Sequence, residues 1–193
     1  MARPYNPAIR AKLRDKAVDY VLSHGVVDLA LRPLAKALKT SARMLVYHFG
    51  SREGLMREIL TGLREREDAT IRAWFQRGKK PRTMPEFLRW HWRRVSTRRA
   101  RPAARLILEL YVLALRDPRS YPGVLTDPVV YWQKLADRAG VSLKGDPAEA
   151  TLLLAASRGF LIDLCATEDR ARVGRAMKLL AKLIQLANRE KRR

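Results

Sequence analysis

Residues 31–55 read LRPLAKALKTSARMLVYHFGSREGL. Two short segments with helical spacing of apolar residues, over 32–38 and 41–48, are separated by a turn at Lys39-Thr40. Pro33 falls in the first turn of the first segment, where a missing N–H costs little. Ser41 stands where the second segment needs an N-cap, because a hydroxyl oxygen accepts one of the orphan backbone N–H groups. Gly50 breaks this segment, Ser51 caps the next helix, and Glu53 lies in that helix's favourable first turn. Two short helices joined by a tight turn and preceded by a supporting helix form a helix-turn-helix, whose second helix the DNA major groove is wide enough to admit. Leu34, Ala35, Leu38, Leu45 and Phe49 fall on the faces expected to pack against the preceding helix. Ala42, Arg43, Met44, Tyr47 and His48 are expected on the open face.

Outward from this stretch the periodicity stays helical. Helices are expected over 7–23, 32–38, 41–48, 52–75, 85–97, 102–116, 128–139, 147–166 and 168–189, with loops at 78–85, 117–123 and 140–145. Alternating strand patterns and internal repeats are absent, so the expected class is all-α with about nine helices.

The chain has 193 residues, 40 Lys+Arg against 19 Asp+Glu, and a formal net charge of +21. A balance this basic points to a polyanion, either nucleic acid or an anionic membrane surface. The excess is spread through sequence that reads as folded rather than gathered in a tail. The single cysteine, Cys165, rules out a disulfide within the chain, and a buried reduced thiol is expected there. The first residues hold no apolar run of signal-peptide length, and no stretch is expected to reach the roughly 20 apolar residues of a membrane span. These readings lead to the expectation of a cytoplasmic protein with no membrane partner. His24, His48 and His91 lie far apart, and neither a metal-ligand spacing, a glycine-rich phosphate loop nor a nucleophile elbow occurs. No enzyme activity, metal or cofactor is therefore expected.

The stretch LRPLAKALKTSARMLVYHFGSREGLMREIL resembles the DNA-binding signature of the TetR (tetracycline repressor) family of transcriptional regulators, most closely over residues 41–55 and well over about 10–60. The resemblance implies a helix-turn-helix DNA-binding domain over 1–50 and a ligand-binding and dimerisation domain over 51–193. It also implies a homodimer that binds a double-stranded DNA operator and is released, as a repressor, by a small-molecule effector. By matching positions, Arg32 would reach a base edge or phosphate. Ser41, Ala42, Arg43 and Met44 would lie at the groove, Tyr47 and His48 at the backbone, and Arg52 at a phosphate. A guanidinium suits bidentate contact with guanine or phosphate, and a tyrosine hydroxyl can donate to phosphate. Three positions depart from the pattern. Lys39 stands where glycine is usual and must either accept a left-handed backbone or reshape the turn. Val46 replaces the first of an aromatic pair, and Ala30-Leu31 lacks the usual hydroxyl residue.

The same resemblance implies an effector pocket among the later helices. Trp74, Phe87, Trp90, His91, Arg94, Leu108, Tyr111, Leu115, Trp132 and Phe160 are its candidate lining, with ordinary core packing as the alternative for each. For the dimer, the stripes Leu152, Ala155, Ala156 and Gly159, then Val173, Met177, Leu180 and Ile184, are the expected interface, because small residues let helices approach closely. A basic protein that coats DNA without sequence preference is the competing nucleic-acid reading. A specificity ratio near unity would favour it.

Overall fold

The computed structural model describes residues 6–27, 29–78, 80–121, 124–125, 128–141 and 147–190. Among them are nine α-helices: α1 (Pro7–His24), α2 (Leu31–Ala37), α3 (Ala42–Phe49), α4 (Arg52–Arg77), α5 (Met84–Val95), α6 (Arg101–Arg116), α7 (Pro128–Arg138), α8 (Pro147–Thr167) and α9 (Arg170–Glu190). A turn of 3-10 helix at Arg98–Ala100 precedes α6, and no strand occurs among the described residues. The nine expected helices are present, with ends displaced by at most about two residues, the ordinary scatter of helix boundaries. Residues 142–145 of the expected loop at 140–145, and residues 122 and 123 of the one at 117–123, lie outside the described residues.

Local chemistry sets the helix ends. The Asn6 side chain accepts the N–H groups of Ala8 and Ile9 at 2.9 and 3.4 Å, with Pro7 in the first turn. The Ser41 hydroxyl accepts the Met44 N–H at 3.1 Å, and the Ser51 hydroxyl that of Gly54 at 3.0 Å. α2 follows Ala30, whose position as N-cap supplies no side-chain cap, as the missing hydroxyl residue implies. Gly25 leaves α1 with φ 77°, a conformation that a Cβ would strain.

The chain divides into two compact units, residues 1–74 with 105–126, and residues 75–104 with 127–193. In the first, Leu13, Ala17, Val18 and Val21 of α1 bury against Leu34 and Leu38 of the α2 region and Leu45 and Phe49 of α3. Leu55, Met56 and Ile59 of α4 and Leu106, Leu110 and Ala114 of α6 complete this core. The packing expected for Leu34, Ala35, Leu38, Leu45 and Phe49 is thus present. In the second unit α5 runs against α9, α9 against α8 and α8 against α7. Trp92 of α5 comes close to α9 at Gly174, where a Cβ would already lie 3.4 Å from the indole nitrogen. Arg170 Nε donates to Ser96 Oγ at 3.2 Å and ties the start of α9 to the end of α5.

One expectation is corrected. Ala148–Thr167 of α8 is long and apolar enough to cross a membrane by length and composition. The reason lies in its two faces. Ala150, Leu153, Leu154 and Leu164 are buried in the chain's own core, whereas Leu152, Ala155, Gly159 and Ile162 are exposed. A helix apolar on both sides scores as membrane-like, although only part of it serves the core of its own chain.

Candidate functional site

The turn between α2 and α3 closes by two backbone bonds. Thr40 N–H donates to the Ala35 carbonyl at 2.9 Å, and Lys39 N–H to the Lys36 carbonyl at 3.1 Å. These are the paired bonds of a Schellman turn, whose left-handed residue is usually glycine. Lys39 occupies that position with φ 55°, so of the two ways a lysine could be accommodated the chain adopts the left-handed backbone. The turn, the Ser41 cap and the buried Leu45 and Phe49 fix α3 on α1. The Arg10 guanidinium lies 5.5 Å over the Phe49 ring and forms a 2.6 Å ion pair with Glu58 of α4.

From this mounting α3 presents Arg43 to solvent, Tyr47 at 45% exposure, and Ala42 and Met44 half-buried; Ser41 is exposed ahead of them. His48 departs from expectation. Its side chain is buried, edge-on to the rings of Tyr47 and Phe49 at 5.1 and 6.4 Å, while its carbonyl accepts Arg10 Nε at 3.2 Å. It lies one turn after Leu45 and beside Phe49, so the helical repeat carries it inward. Val46 takes up exposed surface instead. Arg32 is exposed, and it borders one open depression together with Arg52. Arg52 is half-buried and aimed by a 3.4 Å bond from Nε to the Leu29 carbonyl. A second groove, between α1 and α3, is lined by Met44, Tyr47 and His48 and also by Lys12, Lys16 and Lys39. The sequence reading placed none of these lysines in the site. The i,i+4 spacing of Lys12 and Lys16 was the available signal.

In the second unit the candidate pocket residues form an aromatic cluster. Phe75 stacks on Trp90 at 4.9 Å, Phe87 on Trp90 at 5.6 Å, and Trp132 meets Phe87 edge-on at 5.6 Å and His91 at 4.8 Å. The Arg94 guanidinium lies 5.8 Å over the Trp90 ring. His91 is buried among these rings. Its Nε2 meets the Ser157 hydroxyl at 3.3 Å, and its Nδ1 makes no hydrogen bond among the described residues. Burial, and secondarily the charge of Arg94, hold this imidazole well below its ordinary value of 6.5, so it is neutral. Phe160 approaches Trp92 at 6.4 Å. Trp74, Leu108, Tyr111 and Leu115 belong to the first unit, where Leu115 is 69% exposed.

The expected interface stripe is also corrected in part. On α8, Leu152, Ala155 and Gly159 are exposed and Ala156 is half-buried, as an outward face requires. On α9, however, Val173 and Met177 are buried within the chain, and Leu180 and Ile184 are half-buried. Leu179, Leu183 and Leu186 carry the outward apolar stripe, at i, i+4 and i+7. Two apolar stripes on one helix hid the distinction. Cys165, expected buried, is half-buried.

The whole chain can be compared with solved structures. A member of the TetR family from Streptomyces coelicolor A3, SCO1917, superimposes with a TM-score of 0.67 at 23% identity, over 92% of this chain and 98% of that one. The fold is that of the TetR-family regulators. A transcriptional regulator from Rhodococcus sp. Rha1 gives a TM-score of 0.68 at 15% identity, covering 92% and 96%. The multidrug binding protein EbrR, complexed with imidazole, gives 0.63 at 23%, covering 91% and 90%. No protein-family model and no curated protein matches the sequence. The TetR likeness therefore extends through α4–α9 as well as through the helix-turn-helix. In this TetR fold α1 supports α2 and α3, and the remaining helices make up the rest of the chain.

Proposed function

We propose that this protein is a homodimeric, cytoplasmic transcriptional regulator that binds a roughly palindromic DNA operator and, as a repressor, leaves it when a small-molecule effector binds. The observation that carries the reading is the mounting of α3. Capped by Ser41 and packed through Leu45 and Phe49, α3 holds Arg43 and Tyr47 outward on a rigid helix. Arg43 suits a guanine edge, and Tyr47 with Arg32 and Arg52 suits phosphates. Residues 1–50 act as the DNA-binding domain and 51–193 as the effector-binding and dimerisation domain. The outward faces of α8 and α9 support a two-fold interface. Effector binding is supported by the aromatic cluster around His91 and Arg94 and by the EbrR structures, which hold imidazole and proflavin. α4 contributes to both compact units and is the element on which an effector would act.

The test is a selection from random duplexes with the purified protein, followed by variants. Enrichment of a two-fold site is expected. Arg43→Ala should relax base preference, and Tyr47→Ala should weaken every duplex similarly. A selection that enriches no sequence, or an Arg43→Ala protein that discriminates as the parent does, overturns the reading.

A further inference from the structure

The acidic residues of α1 are committed to arginines. Asp19 pairs with Arg66 of α4 at 2.5 Å and Asp15 with Arg14 at 3.4 Å, while Arg14 and Arg10 themselves reach Glu65 and Glu58 of α4 at 3.0 and 2.6 Å. Lys12 and Lys16 are left exposed, one helical turn apart, and neither enters an ion pair among the described residues. Residues spaced i,i+4 hold their Cβ atoms about 5–6 Å apart. Both line a groove of about 310 Å³ whose other wall is the α2–α3 turn and α3, with Lys39, Met44 and Tyr47. Three lysines thus border one groove, and among the described residues its lining contains no acidic residue.

Lys39 adds an independent observation. It holds φ 55° at a position where glycine carries no steric penalty and a Cβ does. Left-handed backbone at a non-glycine residue clusters at functional sites. Lys39 is exposed and enters no ion pair among the described residues.

We infer that this groove seats the sugar–phosphate backbone of duplex DNA, with Lys12, Lys16 and Lys39 each neutralising a phosphate. The inference rests on the DNA-binding reading and adds to it an anchoring site apart from the base-reading Arg43. Tyr47 belongs to both α3 and the groove and so joins the two. Backbone contacts fix position and register without reading sequence, and each neutralised phosphate enters the salt dependence of binding.

The experiment measures binding of the full-length protein to a fluorescent mixed-sequence duplex across a salt series, with thermal unfolding in parallel. Lys39→Gly should unfold at a higher temperature than the parent, because the turn no longer holds a Cβ in the left-handed region. It should nevertheless bind more weakly, with a slope of log affinity against log salt shallower by about 1.8, because the homodimer loses one lysine from each subunit. Over a fourfold rise in salt it then loses about 12-fold less affinity than the parent does. Lys39→Arg should keep the parent's slope, and a Lys12→Ala/Lys16→Ala double variant should be shallower by about 3.6, two lysines being lost from each subunit. Unchanged slopes in Lys39→Gly and in the double variant, in a parent that binds duplex, overturn the groove and leave the DNA-binding reading standing. A parent that binds no duplex removes both.

Discussion

The Glu109 carboxylate on α6 accepts the backbone N–H of Val26 at 2.9 Å, in the turn that follows α1. Val26 is fully buried, so this N–H has no water to turn to. The same carboxylate fills the space beside Gly25, where a Cβ would lie 2.5 Å from its oxygen. One side chain of α6 therefore both satisfies and sterically guards the exit from the supporting helix of the helix-turn-helix. Glu109→Ala should destabilise the protein by about 1–3 kcal/mol, the cost of leaving a buried donor unpaired. Gly25→Ala should destabilise as well, since φ 77° and the carboxylate both oppose a methyl group. Chemical denaturation of both variants checks this. Parent-like midpoints would show the bond to be dispensable.

The two faces of α8 and α9 separate assembly from folding. Gly159 has nothing within 4 Å of an added Cβ, so Gly159→Glu should leave the subunit's own fold intact. In a dimer built on this face the new carboxylate would be buried unpaired, and sedimentation should then find monomers. Leu183→Glu should behave alike, because Leu183 is 54% exposed. Met177→Ala, at a position 1% exposed, should instead cost about 2–5 kcal/mol of stability. Intact dimers in both charge variants would move the interface away from these helices.

His91 predicts an acid sensitivity. In the folded chain its ionisation lies well below 6.5, mainly through burial and further through Arg94, while the unfolded chain titrates near 6.5. Above that pH neither state binds the proton and the full stability is present. As pH falls below it, the unfolded chain takes up a proton that the fold refuses, and stability declines by up to about 1.4 kcal/mol per pH unit until the folded value is reached. His91→Gln should be less stable by an amount independent of pH and should lose this component of the acid slope. Identical pH profiles for the variant and the parent between neutrality and pH 5 would assign the acid response elsewhere.

An effector that releases DNA must be coupled to it reciprocally. If a planar heteroaromatic compound occupies the cluster of Phe87, Trp90 and Trp132, tryptophan fluorescence should report its binding. Operator DNA should then weaken that binding by the same factor by which the compound weakens DNA binding, typically about 1–3 kcal/mol of coupling. Proflavin is a reasonable first probe, given its complex with EbrR. Equal affinities with and without operator, for a compound shown to bind there, would leave α4 as scaffold rather than switch.

The helix-turn-helix was legible because its information is local. Ser41, Gly50, Ser51 and the spacing of Leu34, Leu38, Leu45 and Phe49 act within a few residues of one another, and caps and periodicity operate over that range. His48 was misplaced because its identity permits either face. Its spacing, three residues after Leu45 and next to Phe49, nevertheless carries it to the inner side.

By itself the sequence determined an all-α chain of about nine helices, the place of the α2–α3 turn, and the outward positions of Arg43 and Tyr47 on α3. These follow from short-range rules of helix ending and facing. Tertiary structure alone decided which of two apolar stripes on α9 serves the chain's own core, which carboxylate secures the Val26 N–H, and which lysines share a groove with Tyr47. Those facts depend on residues up to 83 positions apart, such as Val26 and Glu109. Composition and periodicity show that a face is apolar or basic. Which partner meets that face is fixed only when the helices pack together.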